Sequence, residues 1–400
     1  MVFTPPFTKP VTFVQAQPGI GGPQGRHLRG RRTPEAQRDP LWTVATAAGK
    51  LRDMHGVRKK SKAAWAALLA LWLAGGCVMP CHRPAQPLRY EFTQPQMGLP
   101  FRIVLYATEA EAKPAADAAF ARIAQLNDIL SDYDTDSELS RLSRSAGEGK
   151  SVPVSQDLWN VLARAQELAR RSDGAFDVTV GPVVSQWRRA RREKKLPPPA
   201  RLEAALAAVG WEKLHLDPRA RTARLVAPEM RLDLGGIAKG YAVDEAQKVL
   251  RARGITRALV AGGGDMAASD APPGKRGWRI EVAPLDLTNA PPARFVLLRH
   301  HALATSGDVF QRVEIDGVRY SHIVDPMTGL GLTDHSLVTI LARDCTTADA
   351  LATAVSVLGP ALGLALVETT PATAACIVRK PGASIESLES RRFGAFLDHR

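Results

Sequence analysis

The chain has 400 residues and 45% hydrophobic side chains, enough to bury one large core or two modest ones. Its net charge of +13 is local: residues 1–62 carry +9, the run "RRARREKK" (188–195) carries +5, and the remainder is close to neutral. A generic basic face for nucleic acid is thereby excluded, and four cysteines without close pairing exclude both a zinc site of the usual spacing and a disulfide scaffold.

Taken in chain order, residues 1–53 are rich in Pro, Gly and Arg and read as a non-native or disordered extension, with translation expected to start at Met54. From there "MHGVRKKSKAAWAALLALWLAGGC" (54–77) sets a basic run before a short apolar run and small residues, the layout of an export signal. The apolar part is short for a permanent membrane span. The ending "LAGGC" resembles the lipobox of bacterial lipoproteins, with Ala74 standing where the leucine usually does, and makes Cys77 the expected lipidated residue. Export places the body in an oxidising compartment, where pairing of Cys345 with Cys376 is left open. Residues 78–90 read as a tether, and 91–400 as one domain.

In that domain "YEFTQPQMGLPFRIVLYAT" (90–108) predicts two strands around a Met-Gly turn. Ala119, Ile123, Leu126 and Leu130 predict a helix over 111–130, and further helices are expected at 155–171 and 201–209. "RRARREKKLPPPA" (188–200), charged and proline-rich, reads as a surface loop or insertion with a secondary affinity for anionic lipid headgroups. Short strand-like runs follow, from "KLHLD" to "AACIVRK", interrupted by helices near 238–252, 346–358 and 360–368. Consecutive strands mixed with helices predict an α+β layered fold, mainly antiparallel sheet with packed helices. Nothing after Cys77 reads as apolar enough to cross a membrane.

Four segments concentrate glycine with acidic or hydroxyl residues. "SDGAFDVTVGP" (172–182) puts Asp177 and Thr179 on one side if extended. "LDLGGIAKGYAVD" (232–244) runs from Asp233 through two glycines to a helix start, where free N–H groups and Lys239 make a seat for an anion. It is neither a Walker A loop nor a GxGxxG fingerprint. "ALVAGGGDMAA" (258–268) carries Asp265 on a glycine turn, and "YSHIVDPMTG" (320–329) carries His322 near Asp325. Each taken alone reads first as a turn, a strand end or a satisfied structural residue. In "CTTADALATAVSVLGP" (345–360) Asp349 and Thr353 are four apart on one helical face. Either Thr346 caps this helix, with Asp349 complementing its positive end, or Asp349 and Thr353 present oxygen to a hard cation such as Mg²⁺.

Together, and in this order, "MG" (97), "LSDYDTDSELSRL" (130), "DGAFDVTVGP", "LDLGGIAKGYAVD", "GGD", "ATSGD" (304), "HIVDPMTG" and "ADALATA" resemble the ApbE family, the FAD:protein FMN transferases. The resemblance runs from about Met97 to Gly359 and implies an ApbE-like, T-fold-like core. It implies that Met97 and Tyr133 line the flavin and that Ala175, Phe176, Asp177, Asp233, Lys239 and Val324 contact other parts of FAD. It also implies that Asp349 and Thr353, with the Gly236 carbonyl, ligate Mg²⁺. The reaction implied moves the FMN half of FAD onto a threonine hydroxyl of an acceptor protein, typically a subunit of a membrane redox complex, and releases AMP. The location implied is the periplasmic side of the bacterial inner membrane, on a lipid anchor. Two positions depart from the family pattern: Leu99 replaces a threonine and Ser143 an asparagine. His322 is the candidate general base, being available as neutral imidazole near pH 7, with Asp265 and Asp308 behind it. An FAD diphosphatase using the same site, and an exported flavin carrier without turnover, are the competing functions.

Overall fold

The computed structural model describes residues 87–285, 294–309 and 311–398. The expected extension, the export signal and Cys77 lie outside the described residues.

Strands β1 (Leu88–Gln96) and β2 (Leu99–Ala107) form the predicted hairpin, and β1 begins inside the span given to the tether. Met97 and Gly98 both have positive φ, 50° and 74°, the pattern of a tight two-residue turn whose twist matches its strands. Helix α1 (Glu109–Leu130) starts at a Thr108/Glu111 capping box and buries all four residues of its predicted stripe. Helix α2 (Glu138–Arg144) and the two-residue strand β3 (Val152–Pro153) lead to α3 (Gln156–Arg171), capped by Ser155.

Helix α4 (Gly181–Glu193) corrects the expectation of a surface loop at 188–200. Its apolar positions Val183, Trp187 and Ala190, spaced four and three apart, are buried, and that stripe outweighs the arginines between them. The "SDGAFDVTVGP" segment before it is a series of turns rather than a strand, because the Asp177 carboxylate accepts from the Thr179 N–H (2.7 Å) and folds the chain back.

Then come α5 (Pro199–Ala207), β4 (Leu214–Asp217), β5 (Thr222–Leu225) and α6 (Ala238–Ala252). Strands β6 (Ala258–Gly262), β7 (Asp265–Ala268), β8 (Trp278–Val282), β9 (Arg294–Leu298), β10 (His301–Gly307), β11 (Arg312–Ile315), β12 (Val318–Ser321) and β13 (Ser336–Ala342) follow. Helix α7 (Cys345–Thr369), β14 (Ala374–Arg379) and β15 (Glu386–Glu389) complete the order.

Eight strands make one antiparallel sheet in the order β1-β2-β6-β7-β10-β13-β14-β15. Alternation along β2 splits its side chains: Phe101, Ile103 and Leu105 join a core shared with α1, α3, α6 and α7, while Val104 joins a second core under the β8–β9 hairpin. A third cluster packs Val183, Trp187 and Ala205 of α4 and α5 against Val313 and Ile315 of the β11–β12 hairpin. This is the expected α+β layered architecture.

Helix α7 is long and apolar enough to cross a membrane by length and composition, contrary to the sequence reading, but it breaks at Gly359–Pro360 and buries Asp349 among core residues. Its N-cap is Asp344, which accepts from the Thr347 N–H (2.8 Å); Thr346, the expected cap, instead donates to Asp244 (2.6 Å). Cys345 and Cys376 are both free and buried.

Helices α6 and α7 touch at Gly240, where a Cβ would stand 2.8 Å from the Asp349 Cβ. Gly240→Ala is therefore expected to lower stability by about 1–3 kcal/mol and to push Asp349 out of line. Denaturant melts of the variant, with unchanged m value, check this.

Candidate active site

The sheet's β2, β6, β7 and β10, the start of α6, the middle of α7 and helix α4 enclose a cleft of about 1080 Å³. Met97, Tyr133, Ala175, Phe176, Asp177, Asp233, Gly236, Lys239, His322, Val324, Asp349 and Thr353 all line it. Residues separated by more than 250 positions thus meet at one place. Asp265 stands behind this wall and touches residues that line the cleft, Lys239 and the Thr305 backbone.

At one end two helix faces converge. Asp349, 1% exposed, accepts from the Gly240 N–H (3.0 Å) and pairs with the Lys239 ammonium (3.1 Å). The anion at this helix start is therefore the chain's own carboxylate, not only a seat for a ligand. Lys239 also donates to the Gly235 carbonyl (2.9 Å) and lies 3.2 Å from Asp265 Oδ2, an ion pair that is this oxygen's one polar contact among the described residues. Burial disfavours charge on Lys239, but Asp265 and Asp349 outweigh it and hold its pKa above the ordinary value. Burial, and then the Asp349 charge, push the Asp265 carboxyl up to about 7.

Two buried carboxylates thus share one ammonium. Among the described residues the Thr353 hydroxyl donates only to the Asp349 carbonyl one turn back (3.3 Å), and the Gly236 backbone packs directly against it. A surplus of negative charge and all-oxygen donors fits a hard divalent cation. Among the described residues no group of three or more His, Cys, Asp or Glu could hold a metal alone. A cation here would draw on the hydroxyl, a backbone carbonyl and the substrate as well.

At the other end Tyr133 is 78% exposed, and the Arg188 guanidinium lies 4.2 Å from its ring centroid. Arg188 bridges Asp132 and Asp233, the latter at 2.7 Å, and Asp233 also accepts from the Gly235 N–H (2.8 Å). Tyr133 is thus a backed aromatic plate with an open face. Burial raises the pKa of Asp177 as well as that of Asp233, where Asp132 adds to the rise.

His322 follows strand β12. The Trp187 indole donates to the Ser321 carbonyl (3.1 Å), and His322 Nδ1 lies 3.3 Å from the Gln311 carbonyl. That partner can only accept, so Nδ1 carries the proton and Nε2 keeps a lone pair. Burial, helped by the Arg191 charge, lowers its pKa to about 4. Asp308 is held by Arg319 and His335, the latter at 2.8 Å, which leaves it poorly placed as a base. Of the two departures, Leu99 lines the cleft, whereas Ser143 accepts from the Leu232 N–H (3.1 Å) and braces the segment before Asp233.

Sequence reasoning missed Arg188, Arg191 and Trp187. Their signal was the stripe Val183, Trp187, Ala190, hidden beneath a run dominated by charge.

The ApbE family model matches residues 97–378. The chain is 32% identical over 336 residues to the FAD:protein FMN transferase of Vibrio cholerae serotype O1, covering 83% of this chain and 98% of that one. It is 30% identical to the Salmonella typhimurium protein of the same name, covering 82% and 96%. Among solved structures, the flavin transferase ApbE from Vibrio cholerae superposes with a TM-score of 0.71 at 31% identity, over 78% of this chain and all of that one. The Pseudomonas stutzeri flavinyl transferase ApbE does so with 0.69 at 30% identity, over 78% and 97%.

Proposed function

The chain belongs to the ApbE family, and from that premise we propose that it is an FAD:protein FMN transferase that moves the FMN half of FAD onto a threonine hydroxyl of an acceptor protein, forming a phosphoester and releasing AMP. The single observation that carries this reading is the convergence, in one cleft, of an aromatic plate with an oxygen-rich, negatively charged corner. A flavin needs the first and a metal-bound diphosphate the second.

The chemistry follows from the side chains. Tyr133, braced by Arg188, offers its open face to the isoalloxazine, and Met97 lines the same cleft from the β1–β2 turn. Asp349, Thr353 and the Gly236 carbonyl would hold Mg²⁺, which when bound draws charge from the diphosphate oxygens and orients them. Lys239 keeps the two carboxylates in place and limits their repulsion. His322 Nε2 accepts the proton of the attacking threonine hydroxyl, a weak nucleophile on its own. Its low pKa keeps the imidazole neutral at pH 7.

The signal-like run 54–77 supports export and a lipid anchor at Cys77, with the domain working on the periplasmic side of the bacterial inner membrane. A membrane redox complex subunit is the fitting class of acceptor there.

The test mixes the domain with FAD, Mg²⁺ and a candidate acceptor domain. An FMN-sized mass gain on the acceptor, with one AMP released per transfer, is the expected result. AMP with free FMN and no modified acceptor would make the protein a diphosphatase, and unchanged FAD would make it a carrier.

A further inference from the structure

Helix α4 lends Val184, Trp187, Arg188 and Arg191 to the wall of the cleft. Trp187 and Arg191 are four residues apart and so lie on one face. Trp187, 1% exposed, holds the Ser321 carbonyl one residue before His322. Arg191 is half-buried, lines the cleft and stands within electrostatic reach of His322 and Tyr133.

The other cations of this wall are balanced. Arg188 bridges Asp132 and Asp233, and Lys239 sits between Asp265 and Asp349. Among the described residues no hydrogen bond or ion pair ties down Arg191; the Tyr133 phenol, uncharged near neutral pH, lies within its electrostatic reach, and the Arg188 charge acting on it is of the same sign. A guanidinium taken partly out of water next to another cation is unfavourable unless an anion joins it.

Resting on the reading that FAD is the substrate, we propose that Arg191 binds the flavin-side phosphate of FAD. The order of groups in the substrate sets the choice. The isoalloxazine lies on Tyr133, the metal corner holds the diphosphate, and the phosphate joining flavin to the rest of the molecule falls between them. Arg191 lines the same cleft within electrostatic reach of both the flavin plate and the base, whose target hydroxyl must attack that same phosphorus. A planar guanidinium can span two of its nonbridging oxygens, steadying it for in-line attack.

Binding of riboflavin and of FMN, which differ only by this phosphate, isolates the contact without any need for turnover. Flavin fluorescence titrations of the full chain are compared for wild type, Arg191→Met and Arg191→Lys, with Arg192→Met on the exposed side of α4 as control. Arg191→Met is expected to weaken FMN about 10- to 100-fold and leave riboflavin within about twofold, with Arg191→Lys between. Arg192→Met should match wild type for both ligands. Unchanged FMN affinity in Arg191→Met, or an equal loss for riboflavin, overturns the assignment, as does a wild type that binds FMN no tighter than riboflavin. If wild type prefers FMN through Arg191 yet modifies no acceptor, the transferase reading falls while this contact stands.

Discussion

Asp349→Asn is expected to cut FAD turnover at least about 1,000-fold while leaving the fold intact. The size follows from charge. The corner sets two carboxyl groups, Asp349 and Asp265, against the single Lys239 ammonium, a surplus of acidic groups that a bound cation would satisfy. The asparagine removes that surplus and one ligand together, and a loss of about 4 kcal/mol of transition-state stabilisation corresponds to three orders of magnitude. The fold survives because Lys239 keeps Asp265 as its counter-ion, and the amide oxygen can still accept from the Gly240 N–H. Loss of repulsion between the two carboxylates offsets part of the lost pairing. Thermal melts separate the effects. Wild type should gain stability with added Mg²⁺, about 2.7 kcal/mol at a hundredfold excess over its Kd, whereas the variant should gain almost none. Mg²⁺-dependent turnover that survives in both Asp349→Asn and Thr353→Val would remove the metal assignment.

The helices with clear apolar stripes were legible in the sequence, because Ala119, Ile123, Leu126 and Leu130 leave little choice of face. The break at Gly359–Pro360 was legible for a similar local reason: proline cannot continue the hydrogen-bond ladder of the preceding turn. Helix α4 was not, since its four arginines look solvated until the cleft that two of them line exists. The "DGAFDVTVGP" turns were hidden because the Asp177–Thr179 bond competes locally with a strand that the residue pattern also allows. Cleft membership could be named from motif order, but the pairing of Lys239 with two aspartates could not. Asp265 and Asp349 are 84 positions apart, and only the antiparallel sheet and the α6–α7 contact bring them to the same ammonium.

His322→Gln is expected to lower transfer by about 10²- to 10⁴-fold, the usual loss for a positioned base, with little change in FAD affinity. It should also change how stability responds to pH, and the sign is fixed. The folded-state pKa of His322 lies near 4, below the ordinary 6.5, so between these values the unfolded chain binds the proton more readily. Wild type is therefore at full strength above pH 6.5 and loses up to about 3 kcal/mol as pH falls toward 4. Below that the native imidazole is protonated too, and the loss stops growing. His322→Gln, with no titrating group, should lack this component, so the two stability curves converge or cross on acidification. Denaturant melts from pH 7.5 to 4.5 measure the difference, and parallel curves would mean that His322 keeps an ordinary pKa in the fold. The two readouts are separable. Near-normal transfer in His322→Gln, with the divergent pH curves still present, would leave a half-buried neutral histidine whose work is structural and return the base role to another group.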